Sequence, residues 1–387
     1  MTTIHAHPPF EPTPDRFVLR AAEPADLDAL ERMARASAAG ITTLPPDRAA
    51  LANRLQRSAA GFGQADQATG EEIYLFVLED TGRAARGGDA VVGTCGITAG
   101  AGFAERFYCY RNEMLVHASA ALQARNRVHT LQLCHALSGM TLLTSFYIDP
   151  DYEHSVAPQL LSRARLLFIA EFADRFSDHI ASESPGLADA DGRCPFWDAV
   201  GRRFFGMDYP QAEALAVGRS KAFIADLLPQ SPIYVPLLPE EAQWAIGQLN
   251  PVAEVPFDIL MAEGFESETY VDVFDGGPIV DAQVSTLRTV SQSRAAPATW
   301  VPMDAADAAL PWHLVAPTQR QGFKAVLARA HWVQGHWRLA APDAARLGLS
   351  DDTDRGVRLR AAPLAQGAQG AQVESPEPIT DAQGDQP

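Results

Sequence analysis

The chain has 387 residues, and 31 lysines and arginines against 48 aspartates and glutamates give it a formal net charge of −17. This acidic balance argues against a nucleic-acid-binding protein, which normally carries a basic surface. A hydrophobic content of 47% excludes disorder throughout the chain. The length suggests about two or three domains of ordinary size.

Several features predict a protein of the cytoplasm. Residues 1–16 lack the basic and apolar segments of a secretory signal, and we expect them to be a flexible lead-in. Arg163 and Arg165 interrupt the apolar stretch LLSRARLLFIAEF, so no membrane-spanning segment is expected. Four cysteines without CxxC spacing suit small buried thiols in a reducing compartment, and no metal site is expected.

The N-terminal part of the chain alternates strands with helices. A strand is predicted at 17–20, followed by a helix that begins near Pro24 and a second helix with Asp47 near its N-terminus. Two apolar strands follow at 73–80 and 89–99. The Gly-rich polar segment between these two strands predicts a hairpin loop.

The central part contains a strand predicted at 143–152, which ends in Asp-Pro-Asp, and an amphipathic helix from about Pro158 to Ala173. A strand, a tight loop and a helix in this order place a ligand at the helix N-terminus. Further helices are predicted at PFWDAVGRRFF, near 219–228, near 239–249 and at VPFDILMAEGF, where Gly264 can form a left-handed C-cap.

The composition changes near residue 291. The small and polar segment 291–298 is typical of a linker, and the short strands after it predict a β-rich C-terminal domain at 299–364. Within that domain Trp332 and Trp337 flank a Gln-Gly pair, which predicts a hairpin with a cross-strand aromatic contact. The low-complexity acidic segment 365–387 is expected to be disordered.

The order of these elements resembles the GNAT acyl-CoA N-acyltransferases. Longer segments resemble the arginine N-succinyltransferase family over roughly residues 17–294. Among them are YLFVLED, SFYIDPDY, PFWDAVGRRFFGMD and EGFESETYVDVFDGGP. FYCYRNE, LCHALSGMTLLTSFYI and FDILMAEGF are similar to its α-subunit type. The resemblance implies an α/β (α+β) fold, with a GNAT-like core at 17–290 that has a mixed, mostly antiparallel sheet.

The resemblance also implies an activity, the transfer of a succinyl group from succinyl-CoA to the α-amino group of L-arginine or L-ornithine in arginine catabolism. Succinyl-CoA is then a cosubstrate, with no permanently bound cofactor and no metal. A paralogous β subunit is the implied partner. Two alternatives stay open: a non-catalytic or regulatory α subunit that supports an active β subunit, and an N-acyltransferase with another acyl group or amine.

The implied succinyl-CoA site lies on the strand LTSFYID and the loop that follows it. Phe146 and Ile148 belong to this strand, whose backbone amides in GNAT folds hold the pantetheine arm and polarise the thioester. A buried strand rich in aromatic and β-branched residues explains the same residues without a ligand. In the loop EHSVAP, His154 and Ser155 are the possible phosphate donors, because the glycines of the family's GGNG motif are missing.

Two further positions depart from the pattern of active relatives. Ser231 stands where the family carries its proton-donor histidine, in a Lys-His-Pro-Ile-Tyr context, and a serine hydroxyl is a poor general acid near neutral pH. A loop or helix-capping role is the alternative for Ser231. Glu113 can bind a guanidinium in a bidentate manner, but the simpler interpretation is a surface carboxylate.

Overall fold

The computed structural model describes residues 14–37, 43–63, 68–102, 106–189, 191–216, 221–302, 310–349 and 356–364. These residues form a mixed α/β fold. The strands in chain order are β1 (Phe17–Ala21), β2 (Ile73–Asp80), β3 (Val91–Thr98), β4 (Cys109–Ser119), β5 (Ala124–Cys134), β6 (Thr141–Ile148), β7 (His179–Glu183), β8 (Ile233–Tyr234), β9 (Glu266–Val271), β10 (Pro278–Gln283), β11 (Arg294–Val301), β12 (Trp312–Pro317), β13 (Lys324–Val333), β14 (His336–Ala340) and β15 (Arg358–Pro363).

The helices lie between these strands. They are, in chain order, α1 (Leu27–Ala36), α2 (Arg48–Gly63), α3 (Thr81–Ala85), α4 (Ala157–Glu171), α5 (Pro195–Ala199), α6 (Gly201–Phe205), α7 (Tyr209–Ala216), α8 (Glu240–Ala245), α9 (Glu254–Glu263), α10 (Arg288–Gln292) and α11 (Ala341–Arg346). The prediction that Gly264 ends a helix is confirmed, since its φ is +104° at the C-cap of α9.

The described strands are connected in one hydrogen-bonded order, β12-β15-β11-β14-β13-β1-β2-β3-β6-β7-β10-β9-β4-β5-β8. Most neighbours are antiparallel, and β6–β7 and β11–β14 are parallel. The mixed, mostly antiparallel sheet predicted from the sequence is therefore present. Because β1 pairs with both β2 and β13, the C-terminal strands extend the sheet that the N-terminal strands begin.

The main core lies around α4, which is buried on almost all sides between the sheet, α9 and α10. The ring of Phe168 lies 4.9–5.7 Å from the rings of Phe62, Tyr74, Phe76 and Phe323. Phe323 precedes β13, so the C-terminal strands share this core. The division of the chain into domains at 17–290 and 299–364 stays a prediction.

Three segments differ from the sequence-based expectations. The expected linker, 291–298, lies in the end of α10 and in β11, because β11 is paired on both sides, with β14 and β15. The expected hairpin loop between β2 and β3 contains α3, whose first N–H groups donate to the Asp80 carboxylate. Residues 109–134, for which no strands are predicted, form the long β4–β5 hairpin. The segments 1–13 and 365–387 lie outside the described residues.

The predicted aromatic hairpin is confirmed. Trp332 and Trp337 are directly opposite each other on β13 and β14, with ring centroids 5.1 Å apart. Gln334 and Gly335 form the turn, with φ values of +47° and +86°. Positive φ at both central residues gives the turn the twist that a two-residue hairpin needs.

The cysteines are free thiols, and three of the four are buried, as expected.

His313 on β12 predicts a pH-dependent stability. Its Nδ1 is 3.0 Å from the Pro311 carbonyl oxygen, its ring contacts Trp337, and burial lowers the pKa of the imidazole. The unfolded chain therefore binds a proton at higher pH than the folded chain does. We expect the free energy of unfolding to fall below about pH 6.5, by at most about 1.4 kcal/mol per pH unit.

Urea unfolding at pH 7.5 and 5.5 measures this effect. The His313→Gln variant has no titrating group at this position, and the difference between the two pH values should be smaller for it than for the wild-type protein. An equal difference for both proteins would show that His313 does not contribute.

Candidate functional site

The sheet opens between β6 and β7. The two parallel strands pair only where Thr141–Leu143 lie opposite Ile180–Ser182, whereas β6 continues its pairing with β3 as far as Ile148. Beyond residue 143 the edge of β6 that faces β7 has no strand partner among the described residues. Since successive N–H groups of a strand point to opposite edges, some of the backbone amides of 144–148 face this gap.

A cavity of about 310 Å³ occupies the gap. It is lined by β6 from residue 142 to 148, by residues 182–185 at the end of β7, by residues between 252 and 260 around the start of α9, and by Arg165 of α4. Its walls are mainly apolar and carry a few polar groups. A concave, largely apolar site with a few polar groups is typical of small-molecule binding.

The wall formed by β6 contains an irregularity at Ser145. This residue has a φ of +54°, and the pairing with β3 shifts its register next to it. The Ser145 N–H donates to Thr43 Oγ1 (2.9 Å), its hydroxyl donates to the Thr43 carbonyl (2.8 Å), and Arg54 Nη2 donates to Ser145 Oγ (3.1 Å). On β3, Gly96 lets the strands approach closely, because a Cβ there would lie 2.8 Å from Thr144 Oγ1.

Arg54, which contacts this bulge, lies on α2. Desolvation, followed by the neighbouring Arg57 guanidinium, lowers the pKa of Arg54 to about 10, so its side chain still carries a charge at neutral pH. The bulge is therefore held in place by one cation and by the loop before α2. The strained Ser145 conformation is fixed by three hydrogen bonds, two with Thr43 and one with Arg54, rather than by strand pairing alone.

The N-terminus of α4 lies beside the cavity, which Pro150 and Glu153 also line. Its backbone donors are largely used within the turn itself. The Ser155 N–H donates to the Tyr152 carbonyl (3.0 Å), the Ala157 N–H donates to Ser155 Oγ (3.1 Å), and Pro158 has no N–H. The helix dipole remains, but few of its first amides are left for an anion.

The sequence-predicted residues separate into two groups. Phe146 and Ile148 line the cavity. Ser155 lies in the turn before α4, where its hydroxyl donates to the Tyr152 carbonyl (2.7 Å), and His154 next to it is exposed. Neither Ser155 nor His154 is among the residues that line the cavity.

Ser231 and Glu113 lie elsewhere in the sheet. Ser231 is exposed just before β8, at the far end of the strand order from β6. Glu113 lies on β4, and its carboxylate forms an ion pair of 3.5 Å with Arg111. Neither side chain lines the cavity. Their roles in catalysis and arginine binding stay predictions.

The structure adds three charged residues to the cavity that the sequence reasoning did not select: Glu153, Arg165 and Glu183. The sequence contains one feature that could select Arg165 as a site residue, because it is a charged residue within an apolar helix. The sequence could not show that its side chain is buried in the protein rather than exposed on one face. Glu183 ends a strand that the sequence analysis did not predict.

Within the described ranges, no group of three or more histidine, cysteine, aspartate or glutamate side chains is arranged to hold a metal ion. The same part of the chain contains no helix that is both long enough and apolar enough to cross a membrane.

The fold and sequence are similar to those of known acyltransferases. A family model described as arginine N-succinyltransferase beta subunit matches residues 17–289. The arginine N-succinyltransferase subunit alpha of Pseudomonas aeruginosa is 45% identical over 319 residues, which are 82% of this chain and 92% of that protein. The subunit beta of the same organism is 36% identical over 351 residues, 90% of this chain and 98% of that protein.

A solved structure agrees with these sequence relatives. The structure of arginine/ornithine succinyltransferase subunit AI from Pseudomonas aeruginosa has a TM-score of 0.79 and 41% identity, and covers 90% of this chain and 99% of that chain. The fold, the open cavity in the sheet and these relatives define an acyltransferase. The chain belongs to the arginine N-succinyltransferase family.

Proposed function

We propose that this chain is a subunit of an arginine N-succinyltransferase, with succinyl-CoA as acyl donor and the α-amino group of arginine or ornithine as acceptor. Family membership and the relatives' names support the reaction. The observation that carries the proposal for this chain is the gap between β6 and β7 with its cavity of about 310 Å³. We place the thioester end of the donor in this cavity.

The strand order supports a GNAT-like core. The described strands β1-β2-β3-β6-β7-β10-β9 form a mixed sheet with α1 and α2 after β1, α4 between β6 and β7, and α9 before β9. This agrees with the element order that the sequence resemblance implies. The proposed C-terminal domain, residues 299–364, contains the end of β11 and the strands β12–β15.

The reaction requires a neutral amine that attacks the thioester carbonyl, donors for the oxyanion, and a thiolate that leaves. Among the backbone amides of residues 144–148, those that face the open edge of β6 are the donors available to the oxyanion. The Ser145 N–H is not one of them, because it donates to Thr43 Oγ1. Glu153 and Glu183 put negative charge at the cavity, which favours a cationic amino acid. Holding both substrates in one cavity lowers the entropic part of the barrier.

A second candidate function is that of a non-catalytic or regulatory α subunit that pairs with an active β subunit. The amides of the turn before α4 favour this function, because they donate within the turn and few of them are left there to bind the phosphates of CoA. Relatives named subunit alpha and subunit beta support a paralogous partner and a hetero-oligomer. We place both subunits in the cytoplasm, where succinyl-CoA is available.

Thiol release from succinyl-CoA in the presence of arginine tests the two functions. The chain is assayed alone and together with a β subunit whose proton-donor histidine is replaced, so that any turnover comes from the present chain. We expect arginine-dependent thiol release from this mixture. If only a mixture with the intact β subunit is active, the regulatory function is correct. Ornithine in place of arginine gives the acceptor preference.

A further inference from the structure

Arg165 is a buried cation whose hydrogen bonds, among the described residues, go to neutral groups. Its residue is 2% exposed, in the middle of α4. Nε donates to the Ser162 carbonyl (3.1 Å) and Nη2 to Ser162 Oγ (2.9 Å), so both contacts are with neutral groups of the same helix. Among the described residues, no carboxylate forms an ion pair with it. Burial of an unpaired charge is costly, and proteins normally supply a partner.

Glu153 and Glu183 line the same cavity as Arg165, but neither forms an ion pair with it. Burial raises the pKa of the nearby Cys95 thiol to about 12, so that this thiol stays neutral, and desolvation lowers the pKa of Arg165 itself. The guanidinium carbon lies 5.5 Å from the centre of the Phe146 ring, which orients the planar group. Phe146 and Arg165 both line the cavity between β6 and β7.

We propose that Arg165 is a specificity-determining residue that binds the free carboxylate of the acyl group, so that the site selects the monothioester of a dicarboxylic acid. This inference rests on the proposed function, because it requires the acyl donor in this cavity. A guanidinium matches a carboxylate in bidentate geometry, and the ligand then supplies the missing counter-charge. An acyl chain that ends in a methyl group leaves the cation desolvated and unpaired, so the site rejects it.

The test compares succinyl-CoA with butyryl-CoA, which carries a methyl group in place of the carboxylate. Calorimetry gives both affinities for the full chain and for Arg165→Met. We expect the wild-type protein to prefer succinyl-CoA by about 100-fold and Arg165→Met to reduce this preference to within about fivefold, with weaker binding of succinyl-CoA and tighter binding of butyryl-CoA. An unchanged preference in Arg165→Met, or no preference in the wild-type protein, overturns the assignment.

Arg163→Met is the matched control, because Arg163 is a second buried arginine of α4 that pairs with Glu263 and does not line the cavity. It should leave the preference intact. If Arg165→Met fails to fold, Arg165→Gln replaces it, because glutamine removes the charge and keeps a donor for Ser162. The same loss of preference for succinyl-CoA over butyryl-CoA is then expected for Arg165→Gln.

If neither thioester binds to the wild-type chain, the proposed function fails. The binding of free succinate then tests separately whether Arg165 binds a carboxylate. In that case about 50 mM succinate should raise the melting temperature of the wild-type chain and not that of Arg165→Met. The absence of such a difference overturns the carboxylate site.

Discussion

Glu263→Ala is expected to lower the free energy of unfolding by about 3–5 kcal/mol. The Glu263 carboxylate lies 3.1 Å from Nε of Arg163, and the two side chains are 0% and 4% exposed. It also accepts hydrogen bonds from the N–H (2.6 Å) and the hydroxyl (2.9 Å) of Thr289. Its removal leaves a desolvated cation and two unsatisfied donors at the junction of α4, α9 and α10.

Urea unfolding of the wild-type and variant proteins measures this loss. Glu241→Ala is the control, because Glu241 pairs with Arg193 at 2.6 Å on the surface, with side chains 68% and 60% exposed. Exposed pairs contribute less than about 1 kcal/mol. If Glu263→Ala costs no more than Glu241→Ala, the buried network does not stabilise the junction.

The second large effect is a gain in affinity for CoA. We expect replacement of Ser155–Pro158 by Gly-Gly-Asn-Gly to tighten CoA binding by about tenfold or more. The change removes the Ser155 hydroxyl that now occupies the Ala157 N–H, and it restores an N–H at position 158. Glycines also let the backbone approach a phosphate closely.

Calorimetric titration with CoA gives the affinity, and a thermal melt gives the cost of the exchange, because Val156 and Ala157 are buried. An Ala-Ala-Asn-Ala replacement of the same four residues is the matched control. It also frees the amides but lacks the conformational freedom of glycine, so it should gain less. Equal affinities for the wild-type and the glycine variant would show that the loop does not limit CoA binding.

The sequence predicts the elements with strong patterns. The apolar strands β2 and β3, helix α4 and the Trp332–Trp337 hairpin are found where the composition places them. The β4–β5 hairpin was missed, because its outer half is exposed and contains polar and charged residues without a regular alternation. The expected linker is a strand, because pairing with β14 and β15 outweighs its small and polar composition.

The sequence predicts the β6 wall of the candidate site but not the charged residues that line it. The strand that carries Phe146 and Ile148 was identified through the family resemblance, and both residues line the cavity. The charge balance of the site was not visible, since it depends on burial. Arg165 and Arg163 are two residues apart in one helix, yet among the residues that the structure describes only Arg163 has a buried carboxylate beside it.

The pairing of β1 with β13 has a consequence for synthesis of the chain. Leu19 lies opposite Ala325, so β1 leaves the ribosome about 300 residues before its second neighbour. At about 5–20 residues per second, this delay is about 15–60 s. During that time one edge of β1 is an unpaired template for other strands. A chaperone that covers this edge should therefore raise the yield of folded protein, whereas slower translation, which lengthens the delay, should lower it.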